Sequence, residues 1–358
     1  MAITHDERLS ADELRAMLKV VGLTPGPDSP LVGLPEASAD VTREALMARG
    51  LLSDEWTAAL RALQAPSRCF RTLKAFPDQT VVAAYYGDGA SDAGLIGCWP
   101  EEGQMRIGFP YGPEELLLDA AQSLGANAVI VRDPLAAELS PAGLAVLAAA
   151  LDVMRGRLLS SILARNTAIS MDITPPQLHT VYADGLAGTD GRWVVTLLRS
   201  LMPVSVDLPE AISDVGMNEV IAAGLLKPVG DHWQATDTLA RLSAYLKTPL
   251  PAAAHESLVI ADGAAQHYAY VIAMRGDGPA WAFEFWQEAG QVGITLRSRL
   301  GGSYRRLLAE MLAPLIRPAN ASTPSGAPAP AAGKKFCVEC GVPVTPGAAF
   351  CTECGAKL

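Results

Sequence analysis

Positive charge is scarce in this chain. Its 358 residues hold 28 Lys and Arg against 38 Asp and Glu, for a net charge of −10. The tail from Arg317 onward has four of those bases (Arg317, Lys334, Lys335, Lys357) and two acids (Glu339, Glu353), so the body carries 24 basic and 36 acidic residues. An acidic body repels phosphate backbones, which makes nucleic acid an unlikely partner. Arg305–Arg306 and Lys334–Lys335 are pairs of bases, not patches. Long apolar runs are also missing. The longest, Leu144 to Leu151, is far too short to span a bilayer. Met1 to Arg8 is polar and has no basic segment leading into an apolar one, which predicts no signal peptide and a cytoplasmic location.

Catalytic signatures are absent from the sequence: there is no Gly-x4-Gly-Lys-Ser/Thr, no Gly-x-Ser-x-Gly and no His-Glu-x-x-His. The five histidines (His5, His179, His232, His255, His267) are scattered without metal-type spacing, and each reads as a surface or half-buried residue. Cys69 and Cys98 read as buried, inert thiols, although Arg68 and Arg71 flank Cys69. The acidic, Gly-rich tract Gly87 to Gly94 reads as a hairpin turn. The polar tract Asp184 to Asp190 reads as a loop with a capacity for cations that loop chemistry alone explains.

What is present is concentrated in the tail. Four of the six cysteines fall in FCVECGVPVTPGAAFCTECGAKL, residues 336–358. Cys337, Cys340, Cys351 and Cys354 form two Cys-x2-Cys pairs, each followed by glycine (Gly341, Gly355). Each pair aims two sulfurs at one point, and the glycine lets the turn take a positive φ. Four protein thiolates complete a tetrahedral site with no open position, so the expected metal is one structural Zn2+. A segment this small needs the metal to fold. It resembles the short zinc ribbons at the ends of many bacterial proteins, and such ribbons serve protein contacts, nucleic-acid contacts or stabilisation alike. Residues 317–335, rich in Pro, Ala, Ser and Gly, read as a flexible tether.

The body contains a repeat. Val32–Leu52 (VGLPEASADVTREALMARGLL) and Val206–Leu226 (VDLPEAISDVGMNEVIAAGLL) agree at eleven of twenty-one ungapped positions. Their spacing is too long for a solenoid and indicates two related halves. An amphipathic stretch follows each copy, at Asp54–Leu63 and Gln234–Leu246. Alternating runs follow in turn: Thr80–Tyr86, Ala93–Trp99 and Gln104–Pro110, then Ser257–Ala261, Tyr268–Arg275, Ala280–Trp286 and Val292–Arg297. A helix ends each set, at Glu114–Ser123 and at Ser303–Ala313, with Pro314 as the expected stop. Ser140-Pro141 starts a long helix to about Ala164, and Thr174-Pro-Pro starts another. Ala128–Val131 and Trp193–Leu198 fit strand or helix equally.

The expected fold is therefore α+β. Two duplicated halves, 1–135 and 136–316, each combine helices with an antiparallel meander; the linker is 317–335 and the ribbon 336–358. Alternation puts Trp281, Phe283 and Phe285 on one strand face and Trp286 on the other, a candidate partner platform where exposed. Helix, "GLL", turn and strands also suggest a winged helix, but with too little positive charge for DNA.

A helix, then Ala48-Arg-Gly-Leu-Leu52, then Trp56-x-x-Ala-Leu-Arg-Ala-Leu-x-Ala-Pro66, then a meander, resembles the cytosolic chaperones of mycobacterial type VII secretion. The likeness spans Leu9 to Leu124 and extends to the second half, while the linker and ribbon depart from it. It implies quasi-symmetric α+β halves, no enzymatic activity and a grip on a helical tip of a secreted partner, and it assigns no binding residue. The expectation is a non-enzymatic adaptor or chaperone-like protein that binds another protein. The alternatives are an enzyme with its site between the halves and a nucleic-acid-linked regulator acting through the ribbon.

Overall fold

A computed structural model describes residues 3–35, 40–75, 80–88, 94–122, 135–165, 169–246, 252–261, 264–275, 279–288, 290–299 and 301–316. The tail from residue 317, with its linker and ribbon, and Ala128–Val131 lie outside the described residues. So do parts of the hairpin turns, including residues 89–93 of the Gly87–Gly94 tract.

The first part of the chain runs β1 (His5–Leu9), α1 (Ala11–Val21), α2 (Arg43–Ala48), α3 (Asp54–Gln64), β2 (Arg68–Ala75), β3 (Thr80–Gly87), β4 (Leu95–Glu101), β5 (Gln104–Tyr111) and α4 (Pro113–Gln122). The second part starts with β6 (Ala136–Leu139), α5 (Pro141–Leu163), β7 (Asp172–Ile173), α6 (Pro175–Ala187), α7 (Val194–Leu201) and α8 (Asp214–Ala222). It continues with β8 (Leu226–Val229), β9 (His232–Ala235), α9 (Asp237–Tyr245), β10 (Ala252–Ala261), β11 (Ala264–Arg275), β12 (Ala280–Glu288), β13 (Gln291–Arg299) and α10 (Gly301–Ile316). Helices and antiparallel strands are mixed as expected for an α+β fold.

The two meanders join in a single ten-stranded antiparallel sheet, ordered β1-β5-β4-β3-β2-β10-β11-β12-β13-β6. This order reads the same way outward from the central β2–β10 pair. In each direction a four-stranded meander ends at an edge strand that opens its half of the chain. The repeated tracts also share backbone detail. After α2, Gly50 (φ 70°) donates to Met47 O and Leu51 N to Leu46 O; after α8, Gly224 (φ 70°) donates to Ile221 O and Leu225 N to Val220 O. Both helices thus end in the same left-handed glycine cap, with buried Leu51 and Leu225 turned back onto the helix.

Helices α1–α3 cover one face of the first half, around Trp56, Leu60 and Ile107. Helices α5–α9 cover the same face of the second half, around Leu147, Ile272 and Phe283. The opposite face is packed by α4 and α10, around Phe70, Val271 and Leu308. Helix α5 is apolar all round and buried from Gly143 to Arg155, as befits a helix surrounded by protein.

Several expectations are corrected. Helix α10 runs through Pro314 to Ile316, because Leu315 is buried and its carbonyl accepts from Arg68 Nη1 at 2.7 Å. Trp193–Leu198, which fitted strand or helix equally, is resolved rather than corrected: α7 starts at Val194. Gln234 belongs to β9, and Thr236 caps α9 through Leu239 N. Asp184 to Ala187 is the last turn of α6, not loop. Strands β1, β2 and β6 were not anticipated, and β10 starts five residues before Ser257.

Candidate functional site

Two polar structures stand out in the body. The first is the seam between the halves. Paired across β2 and β10, buried Thr72 and His255 meet through Oγ1 and Nδ1 at 3.2 Å, and His255 Nε2 meets the Tyr304 hydroxyl of α10 at 2.6 Å. Phe70 stacks on the imidazole, and Ser257 Oγ donates to Met311 O at 2.6 Å. Burial pushes the His255 pKa down to about 3, so the ring is neutral and acts as a strut that ties α10 to both halves. His255 is fully buried, against expectation. On the other face of the seam Arg71 pairs with Glu256 at 3.3 Å.

The second is a groove of about 1050 Å³ between the second half of α5, helix α6 and the start of α7. Its construction begins at Asp152. This buried carboxylate on α5 accepts from Val194 N (2.8 Å) and Val195 N (2.9 Å), capping α7 from a neighbouring helix, and from Arg155 Nη1 (2.9 Å). Arg155 in turn donates to Leu246 O and Arg192 O and lies over the Trp193 ring. Burial raises the Asp152 pKa, opposed by the two amides and the guanidinium. A buried ion pair persists when its remaining groups are bonded, and here they are. Asp152 is therefore committed to holding α7, not free for proton transfer.

Arg157, two residues after Arg155, ties α5 to the start of α6. It donates to Ser170 O and to Gln177 Oε1, both at 2.9 Å, and Gln177 Oε1 accepts from Thr174 N. On the far side Gly185 sits against Val195 with no room for a Cβ, and Thr196 Oγ1 donates to Gly185 O at 2.8 Å. These contacts set the walls. Gly156, Ser160 and Ala164 on one side and Thr180 and Asp184 on the other line an opening that is mostly apolar, with Val153, Ile169, Val181 and Trp193 also lining it. A concave strip between two helices with polar groups on its rim is the geometry that takes the apolar face of another helix.

The expected site residues are distributed as follows. Cys337, Cys340, Cys351 and Cys354 lie outside the described residues. Cys69 and Cys98 are buried, and burial pushes their thiols up to about 11 and about 12, so both are unreactive. Among the described residues no group of His, Cys, Asp and Glu is arranged to hold a metal ion. Trp281 and Phe283 are core, Phe285 packs at its edge, and Trp286, facing the other way, is 44% exposed. The three-stranded sheet β7-β9-β8 with α8 makes the wing-like unit, and α8 carries Asp214 and Glu219 but no Lys or Arg. The sequence does not reveal the groove, although four of its wall residues, Asp184, Gly185, Gly188 and Asp190, belong to the tract read as a polar loop.

Residues 336–358 match the zinc-ribbon domain family. Among solved structures the chain is similar to the Mycobacterium tuberculosis type VII secretion system chaperone EspG5, solved in complex with a PE25–PPE41 dimer; the TM-score is 0.42 and the identity 8%, covering 86% of this chain and 96% of that one. No curated protein matches the sequence. Among the described residues no helix is long and apolar enough to cross a membrane.

Proposed function

We propose that this protein is a non-enzymatic, chaperone-like adaptor that holds an apolar segment of another protein in the groove between α5, α6 and α7. The groove is the observation that carries the reading. Its walls are fixed by the buried Asp152 and Thr196 bonds and by the Arg157 ties at the surface, so it is preformed, which lowers the entropy lost on binding. Its exposed lining is mostly apolar, which suits the apolar face of a helix more than a polar substrate. Asp152, the buried acid of its lining, is engaged in capping α7.

The chain divides, in this reading, into halves at 1–135 and 136–316 derived from one duplicated unit, a linker at 317–335 and a ribbon at 336–358. The ribbon holds one structural zinc ion through Cys337, Cys340, Cys351 and Cys354. Four thiols in two Cys-x2-Cys pairs are a donor set suited to Zn2+, and the metal supplies folding energy to the tail. The working location is the cytoplasm.

Thr180→Trp tests the binding site, because Thr180 is exposed on the groove wall and an indole there fills the opening. Wild-type protein used as bait recovers a defined protein partner, and the variant recovers at least about tenfold less. Equal recovery by both would refute the groove as the site.

A further inference from the structure

We infer that a second copy of this chain occupies the groove in the free protein, the two copies pairing about a two-fold axis along the last turns of α5. The inference rests on the groove being a protein-binding surface and names its occupant in the absence of another partner. Leu163, in the last turn of α5, is 85% exposed, although the same helix is buried on every side from Gly143 to Arg155. At about 100° per residue, Leu163 stands about 60° round the helix from Ser160, beside the groove and outside its lining. An apolar knob and an apolar groove therefore adjoin on one helix. A two-fold axis places each knob in the other copy's groove, satisfies both at once and closes after two copies.

Two further features fit this occupant. Gly156, Ser160 and Ala164 recur at four-residue intervals on the groove side of α5, so a second helix can approach closely there. The rim charges are also complementary. Arg165, exposed just past the knob, and Asp184, exposed on the opposite wall, have no ion-pair partner among the described residues. Antiparallel pairing of the two α5 helices brings each Arg165 toward the other copy's Asp184.

Sedimentation of the full-length protein at rising concentration tests this. The expected result is a monomer–dimer equilibrium that Leu163→Glu weakens at least about tenfold, with an unchanged circular dichroism spectrum. Arg165→Asp and Asp184→Arg each weaken pairing, and the double reversal restores it. A wild-type protein that stays monomeric overturns the inference, as does a dimer indifferent to all three single variants. A monomer whose groove is protected from hydrogen exchange assigns the groove to the chain's own tail and also overturns it. Leu163→Glu leaves the lining intact and should still recover a partner that Thr180→Trp loses. Loss of self-pairing and loss of partner binding are thereby told apart.

Discussion

Ser10 and Ser140 occupy the same place in the two halves, each capping the helix that follows an edge strand, yet the carboxylate that completes each cap comes from a different source. In the first half it is local: Glu13, three residues on, accepts from Ser10 N at 2.8 Å and Ser10 Oγ at 3.0 Å in a capping box. In the second half it is remote: Glu219 of α8 accepts from Ser140 N at 2.7 Å and Ser140 Oγ at 2.9 Å. The position matching Glu13 is Gly143, where any Cβ would collide with the Glu219 carboxylate. Gly216 faces the same crossing, where a Cβ would stand 2.3 Å from Ala142 O. Bare backbone at both places lets α8 lie directly on α5. The same kind of cap is thus completed in two different ways. The first half closes on itself with local contacts, while the second binds α8 tightly to the start of α5, leaving the far end of α5 to form the groove with α6 and α7.

The largest expected effect breaks that crossing. Gly216→Val forces α8 away from α5 and should cost about 3 kcal/mol, measured by chemical denaturation. The matching first-half change, Thr42→Val, removes only the N-cap bond from Ala45 N and should cost about 1 kcal/mol. Equal losses would mean the halves are held alike.

Acid acts on the seam that joins them. His255 binds its proton near pH 6.5 when unfolded and near pH 3 when folded, so between those values the unfolded state holds more protons. Stability is therefore full above pH 6.5 and falls as pH drops toward 3, by up to about 1.4 kcal/mol per unit from this group. Denaturation curves at pH 7, 6 and 5 should show the slope, and His255→Gln should flatten it at the price of a lower starting stability.

A smaller contrast separates the caps. Glu219→Ala removes a charged acceptor shared between two helices and should cost about 2 kcal/mol; Glu13→Ala, in a part-buried box within one helix, should cost about 1 kcal/mol. Thermal melts of both variants check the ratio. The smallest effect on the body is expected from the tail. Cys351→Ser should abolish zinc in elemental analysis and leave the body's melting temperature within about 1 °C, as the proposed division into body, linker and ribbon requires.

The parts legible in the sequence are those where a residue's neighbours in sequence decide its conformation. Ser140-Pro141 and Thr174-Pro-Pro open α5 and α6 where expected, and the alternating runs became β3–β5 and β11–β13. Strand β1 was hidden because His5-Asp-Glu-Arg-Leu9 is charged, as an edge strand is apt to be. The first residues of β10 were hidden because alanines have weak strand propensity; they are held by β2 and β11 on either side. Pro314 read as a stop, and the Arg68–Leu315 contact that overrides it joins residues 247 apart in sequence. The groove left almost no trace. Gly156, Ser160 and Thr180 look like ordinary surface, and it takes contacts between residues distant in sequence, such as the capping of α7 by Asp152 and the Arg157–Gln177 tie, to make them walls.

The most direct test of the proposed function compares the halves in the living cell. A photo-crosslinking residue is placed at Thr180 in the groove or at Met47, which is 61% exposed on α2 of the first half. The expected result is a defined adduct with another protein from position 180 and none from position 47. Adducts from position 47 with none from position 180 would contradict it.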